Sequence, residues 1–318
     1  MRRTTLLLLL LALLPGCRSR GRVIVGLVPK GANHIFWQSV HAGGLKAAQE
    51  FGFELEWNAP TLEVDSSRQI EIVESMINRH LAGIALAPVD KKALIGVVER
   101  GTAQGIPMVI FDSGIDTDKR VSYIATDNLE AGRMGARRMG EVLAGRGKVG
   151  IVGFMPGSAS TMDRENGFKE EIEKNFPSIE IVALQFGMAD RAKSMAITEN
   201  MLTANPDLAG LFADNESSSI GAAQALKSRN NRRTKLVAFD ANDQILADLK
   251  EGWIDSIVIQ NPFGMGYEAV RALGMKLKNQ TPPAIINSGA ALAMRTNLET
   301  PQIKEYLFPD LATYLKGH

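Results

Sequence analysis

Cysteine is almost missing from this chain. Of 318 residues only Cys17 carries a thiol, so no disulfide framework can hold the fold. Histidine is nearly as scarce, and His34, His41, His80 and His318 stand at no metal-ligand spacing. No D-x-[DN]-x-[DN]-G calcium loop occurs, and no G-x-S-x-G nucleophile elbow. The sequence therefore predicts neither a metal nor a cofactor. An excess of charge is also lacking: 36 basic against 35 acidic residues leave +1, which gives no electrostatic case for nucleic acid. The densest basic run, Arg229 to Lys235, reads as a solvated turn between a helix and a strand. Beyond residue 14 no apolar run approaches membrane-spanning length.

What is present begins at the N-terminus. Arg2 and Arg3 precede an unbroken apolar stretch from Leu6 to Leu14. As a helix it would reach only about 14 Å, roughly half a hydrocarbon core. That is the length of an export signal, not of a retained anchor. Leu14-Pro15-Gly16-Cys17 follows and resembles the lipobox of bacterial lipoproteins, in which the cysteine is lipidated and becomes the new N-terminus. Pro15 is unusual there, and an ordinary signal peptide is the alternative. The lipoprotein reading is preferred because a lone thiol would otherwise stand free in an oxidising compartment. Residues 1–17 are thus expected to direct the chain to the periplasm or cell surface, held at the membrane only through acyl chains on Cys17.

The roughly 300 residues that remain suit two domains. Short β-branched runs alternate with amphipathic segments, the pattern of an α/β fold with parallel sheets. Strands are predicted at 22–29, 54–59, 83–87 and 108–111, with helices at 36–50, 66–80 and 91–104. Ser66 and Gln69 are expected to form a capping box. After the Gly145-Arg146-Gly147 junction a second series follows. Its strands are predicted at 148–154, 180–184, 208–213, 235–239 and 254–260, and its helices at 160–175, 189–205, 216–229 and 243–251. The two series echo each other: Val109-Ile110-Phe111-Asp112 closes a strand in the first, Val237-Ala238-Phe239-Asp240 in the second. Each places an aspartate at the carboxyl end of a parallel strand, where open α/β sheets bind ligands. One such aspartate means little; two at matching places suggest a cleft between similar lobes.

Gly264-Met265-Gly266-Tyr267-Glu268-Ala269 fits G-x-G-x-x-A after a strand, but the acidic residue expected about 20 positions later is missing. These glycines are better read as close helix packing.

Several stretches in this order carry a family resemblance. They include Lys30-Gly31-Ala32-Asn33-His34-Ile35-Phe36-Trp37, Ile124-Ala125-Thr126-Asp127-Asn128 and Arg164-Glu165-Asn166-Gly167-Phe168. Leu211 to Glu216 and Ile257-Val258-Ile259-Gln260-Asn261-Pro262 complete the set. From Arg22 to about Leu292 the chain resembles type I periplasmic substrate-binding proteins of the ribose-binding group, which serve sugar ABC transporters. The resemblance implies two Rossmann-like lobes joined by three hinge crossovers. Lobe one would span 22–126 with 261–289, and lobe two 127–260 with 290–318, including a C-terminal tail outside the resemblance. It further implies a monomer that delivers a sugar-like solute to an ABC permease, with no enzymatic activity.

By the same resemblance the ligand would meet Phe36 and Trp37 as stacking surfaces, with Trp37 preferred, since sugar C–H faces lie well on rings. Asp112 and Asp240 would accept hydroxyl hydrogen bonds from opposite lobes. Arg164 would offer a planar fork to vicinal oxygens, and Asn215 and Gln260 amides that donate and accept. Asp127 at the first crossover completes the set with three departures from the family pattern. These are Lys30 in place of a small hydroxyl residue, His34 for asparagine and Ser113 for arginine. Ala189 also replaces an expected aromatic. Pro29-Lys30 with Asp112 is similar to binders of autoinducer-2, and Lys30 would alternatively meet an acidic sugar or pair with a nearby aspartate. Two facing carboxyls also raise a glycosidase, but neither their spacing nor a raised pKa is legible in sequence. The related LacI-type regulators carry a helix-turn-helix where this chain has its export signal, so DNA binding is not expected. A receptor that signals to a sensor kinase or chemotaxis protein would use the same cleft.

Overall fold

The computed structural model describes residues 22–32 and 34–316; the expected export signal and Cys17 lie outside the described residues. Two six-stranded sheets form the frame. The first receives β1 (Val23–Val28), β2 (Phe53–Trp57), β3 (Gly83–Leu86), β4 (Met108–Phe111) and β5 (Ser122–Ala125). Between them run α1 (Ile35–Phe51), α2 (Ser66–Asn78) and α3 (Ile95–Ala103). The chain then enters the second sheet through α4 (Asn128–Val142). That sheet holds β6 (Arg146–Gly153), β7 (Ser178–Phe186), β8 (Leu208–Ala213), β9 (Lys235–Phe239) and β10 (Ser256–Gln260). Its helices are α5 (Ala159–Asn175), α6 (Arg191–Ala204), α7 (Glu216–Ser228) and α8 (Asp243–Glu251). α9 (Pro262–Leu277) and β11 (Ile285–Asn287) return to the first lobe, and β12 (Ala290–Met294) to the second.

The strand orders are β11-β5-β4-β3-β1-β2 and β12-β10-β9-β8-β6-β7, so one lobe repeats the other. All pairings are parallel except β10 with β12. β3 and β4 are buried along their whole length, as expected of central strands covered by helices on both faces. The chain passes between the sheets three times, after β5, after β10 and after β11.

Glycine sets the helix pairing identically in both lobes. A Cβ on Gly43 of α1 would collide with the Phe263 carbonyl, and one on Gly266 of α9 with the Val40 carbonyl. In lobe two, Gly132 of α4 meets the Arg164 carbonyl and Gly167 of α5 the Leu129 carbonyl. Gly266 of the G-x-G-x-x-A stretch thus serves close packing, as its sequence context predicts.

Two local expectations are corrected. The cap of α2 is Asp65, which accepts from Arg68 N, with Ser66 the first helical residue. Gln69 turns inward instead, donating to the Pro29 and Ala87 carbonyls and accepting from Val89 N. Buried carbonyls at two strand ends need a donor, and that demand outweighs a surface cap. α3 begins at Ile95 rather than residue 91, because Asp90 Oδ1 accepts from Lys92 N and Ala93 N and holds a turn there.

Candidate functional site

At the carboxyl ends of both sheets the backbone makes the same move. Asp112 follows β4 with φ 59° and Asp240 follows β9 with φ 63°, the left-handed region that aspartate tolerates better than most residues. Asp112 N donates to the Ile124 carbonyl at 2.8 Å, and Asp240 N to the Val258 carbonyl at 3.0 Å. Each aspartate is therefore tied to the next strand and turned into the space between the lobes.

That space is a small cavity that opens to solvent, about 400 Å³ with its open mouth counted. Lobe one contributes Lys30, His34, Phe36, Trp37, Glu63 and Asp112. Lobe two contributes Phe154, Ser160, Thr161, Arg164, Asn215, Glu216 and Asp240, with Gln260 at the second crossover. Nine of the eleven residues expected from sequence thus converge here. Ser113 and Asp127 do not. Ser113 is buried outside the cavity, where its Oγ accepts from Ser160 N at 3.1 Å and braces the lobes. Asp127 is exposed and caps α4 by accepting from Glu130 N.

Lys30 has settled into the wall. Its Nζ lies 2.9 Å from Asp112 Oδ2, both side chains 5% exposed, and it donates across the cleft to Ser160 Oγ at 3.1 Å and Ser158 Oγ at 3.3 Å. Lys30 is thus paired with an aspartate, one of the options open to it, and it also lines the cavity. Trp37 is 4% exposed, packs with the first-lobe core and donates Nε1 to Glu63 Oε1 at 2.6 Å. Phe36 meets it edge-on at 4.8 Å and is the less buried ring.

Arg164 is equally fixed. Nε donates to Asn128 Oδ1 at 2.8 Å, Nη1 to the Asp214 carbonyl at 2.9 Å, and the guanidinium lies 3.9 Å over the Phe239 ring. Asn215 caps α7 through Ser218 N. Asp240 accepts from Gln260 Nε2 at 2.7 Å and from Glu216 N at 3.1 Å. His34 Nδ1 stands between carboxylates of both lobes, 3.2 Å from Glu63 Oε1 and 3.7 Å from Glu216 Oε2. Glu216 Oε1 accepts from Arg191 and Asn242, while Oε2 is buried with no hydrogen-bond partner among the described residues.

Burial dominates the electrostatics. It raises the Glu63 carboxyl above its ordinary value, against the pull of His34, the Trp37 hydrogen bond and Lys30. It pushes Asp240 up to about 6, opposed chiefly by Arg164. Behind the wall, burial lifts Glu165 to about 7, and burial together with Glu165 holds Asp214 well above the usual carboxylate range. Cations and carboxylates of the wall are alike engaged with protein groups, Lys30 with Asp112, Gln260 with Asp240 and Trp37 with Glu63 among them. The lining thus offers both hydrogen-bond donors and acceptors beside aromatic rings to a compact polar solute.

Glu63, Phe154, Ser160, Thr161 and Glu216 were not anticipated from sequence. Only Glu216 carried a signal, as the residue next to Asn215 at a strand-to-helix turn.

Two lobes of one topology, joined by three crossovers and closing on a polar cavity at their sheet ends, define a two-lobed solute-binding protein. The family profile described as "Periplasmic binding protein domain" matches residues 25–281. The chain belongs to that family, as a type I member of the ribose-binding group, and is a binding protein, not an enzyme. It is 32% identical over 271 residues to a D-ribose/D-allose-binding protein of Pseudomonas aeruginosa, covering 81% of this chain and 83% of that protein. To a ribose import binding protein of Bacillus subtilis it is 29% identical over 248 residues, 78% and 79% of the two chains. Among solved structures, a carbohydrate transporter solute-binding protein of Agrobacterium radiobacter in complex with D-arabinose superposes with a TM-score of 0.88. The identity is 28%, over 91% of this chain and 100% of that one.

Proposed function

We propose that this protein captures a neutral monosaccharide between its lobes and presents it to an ABC importer on the outer side of the cytoplasmic membrane. The observation that carries the reading is the pairing of Asp112 and Asp240, one from each lobe, on one cavity that Arg164, Phe36 and Trp37 also line. Two acceptors from opposite sides hold a ring of hydroxyls only when the cleft is shut, so binding and closure are coupled. A sugar bearing a carboxylate or phosphate fits poorly, because Lys30 is already paired with Asp112 and Glu63, Glu216 and Asp240 add negative charge nearby. Lobe one is taken as 22–126 with 261–289, and lobe two as 127–260 with the C-terminal segment.

The test is thermal unfolding of residues 18–318 with D-ribose, D-allose, D-arabinose, D-fucose and D-tagatose. A ligand at 100 times its dissociation constant adds about 2.7 kcal/mol to native stability, a shift that a melting curve resolves. Glucuronate and ribose 5-phosphate are the counter-probes; a shift with these alone would overturn the neutral-sugar reading. Cys17 is proposed as the acylated residue that holds the protein at the membrane. Labelled palmitate should enter wild type and not Cys17→Ser.

A further inference from the structure

The segment after β12 lies beyond the residues matched to the family and touches both lobes. α10 (Pro301–Leu307) belongs to lobe two by its packing, since Ile303 is 3% exposed in the cluster that includes Ile257, Ile259 and Ala291. α11 (Leu311–Leu315) lies instead against α1 of lobe one. There the Tyr314 ring stands 5.8 Å from Phe263 at the start of α9. Only Phe308, Pro309 and Asp310 join the two helices. Tyr306 and Leu307 share a small hollow with Phe36, Asp240 and Gln260, three residues that also line the binding cavity. The tail is thus attached at two points, one on each lobe, beside the second crossover.

We propose that the C-terminal segment is a strap that limits how far the lobes open and so favours the closed, binding-competent arrangement; this rests on the binding reading above. Three residues of fully extended chain reach only about 10 Å, so both attachments survive only modest rotation about the hinge. The two are unequal. α10 is pinned by a buried isoleucine, whereas no residue of α11 is fully buried. Wider opening therefore detaches α11 first and loses the Tyr314–Phe263 contact. Apparent affinity scales with the fraction of molecules in the competent state, so a strap that raises this fraction tightens binding without touching the ligand.

Two variants test this. One ends at Pro309, which removes α11 and keeps α10; the other is Tyr314→Ala in the full chain, which covers the case where truncation harms folding. Small-angle scattering of each without sugar should give a larger radius of gyration than wild type. Calorimetry with whichever of D-ribose, D-allose, D-arabinose, D-fucose or D-tagatose wild type binds should show affinity weakened about 3- to 10-fold. An unchanged radius together with unchanged affinity, or tighter binding in either variant, would overturn the strap. If wild type binds none of the five sugars, the neutral-sugar reading fails by itself, and the scattering comparison still decides whether α11 restrains the lobes.

Discussion

Gln260 Nε2 donates to Asp240 Oδ1 across 2.7 Å, and Gln260 Oε1 accepts from Thr126 Oγ1 across 2.8 Å. One amide thus links the second-lobe carboxylate of the site to the first crossover, so binding groups and hinge share a hydrogen-bonded chain. Gln260→Leu keeps the volume but removes the donor to Asp240 Oδ1, which among the described residues leaves Asp240 only Glu216 N and Thr126 Oγ1 only the Gly289 carbonyl. Sugar affinity is expected to fall by about 1–3 kcal/mol, roughly 5- to 150-fold. Titration calorimetry on the variant measures it, and wild-type affinity would show that the link is dispensable.

Lys30 and Asp112 form a buried pair that also spans the cleft through Ser158 and Ser160. Removing the cation strands Asp112. Lys30→Met should cost about 3–5 kcal/mol of stability, read from the urea midpoint. Lys30→Met with Asp112→Asn should recover much of that loss, because the uncompensated charge is then gone. If the double variant is no more stable than the single, the pair is not the source of the effect.

How much of this could be read from the sequence differs by residue. Most strands and the two aspartates were legible because β-branched runs with a terminal Asp occur twice, and repetition makes a weak signal specific; the short strands β5, β11 and β12 were not foreseen. α4 was not foreseen: Glu130 to Val142 is rich in Gly and Arg, and its buried stripe consists mostly of small residues, Ala131, Gly132, Gly135 and Ala136, with Met139 the one large side chain among those fully buried. Glu63 was invisible for a different reason. It sits in a short irregular stretch after β2, and only the fold brings it to Trp37 and His34. Ser160 and Thr161 read as ordinary first-turn residues, Phe154 as the last core residue of a strand. Their role depends on lobe one lying opposite, which no local pattern encodes.

The glycine pairs give a stability prediction independent of any ligand. Gly43→Ala or Gly266→Ala would press a methyl against the carbonyl of the facing helix, as would Gly132→Ala or Gly167→Ala in lobe two. Backbone cannot yield as a side chain can, so each should cost about 1–3 kcal/mol. Gly96, on α3 with open space around its Cβ position, is the control: Gly96→Ala should be neutral or mildly stabilising. Chemical denaturation of the five variants separates close packing from a general intolerance of alanine.

The raised carboxyl values predict how stability follows pH. Asp240 sits at about 6 and Glu165 at about 7, both because burial disfavours the charged form, and Asp214 beside Glu165 is higher still than an ordinary carboxyl. In the unfolded chain these groups titrate near 4. Between about pH 4 and 7 the folded state therefore holds more protons than the unfolded one, and stability falls as pH rises. The contribution is fully present below about pH 4 and is lost as pH passes through 6 to 7. Other carboxylates, such as Asp207 with its lowered value beside Lys148, pull the opposite way at more acid pH, so the comparison belongs between pH 5 and pH 8. Wild type should unfold at lower urea at pH 8 than at pH 5. Glu165→Gln cannot ionise and leaves Asp214 beside a neutral amide, so its decline across that interval should be smaller. A decline as steep in Glu165→Gln as in wild type would place the pH dependence outside this pair, with Asp240→Asn as the next variant to measure.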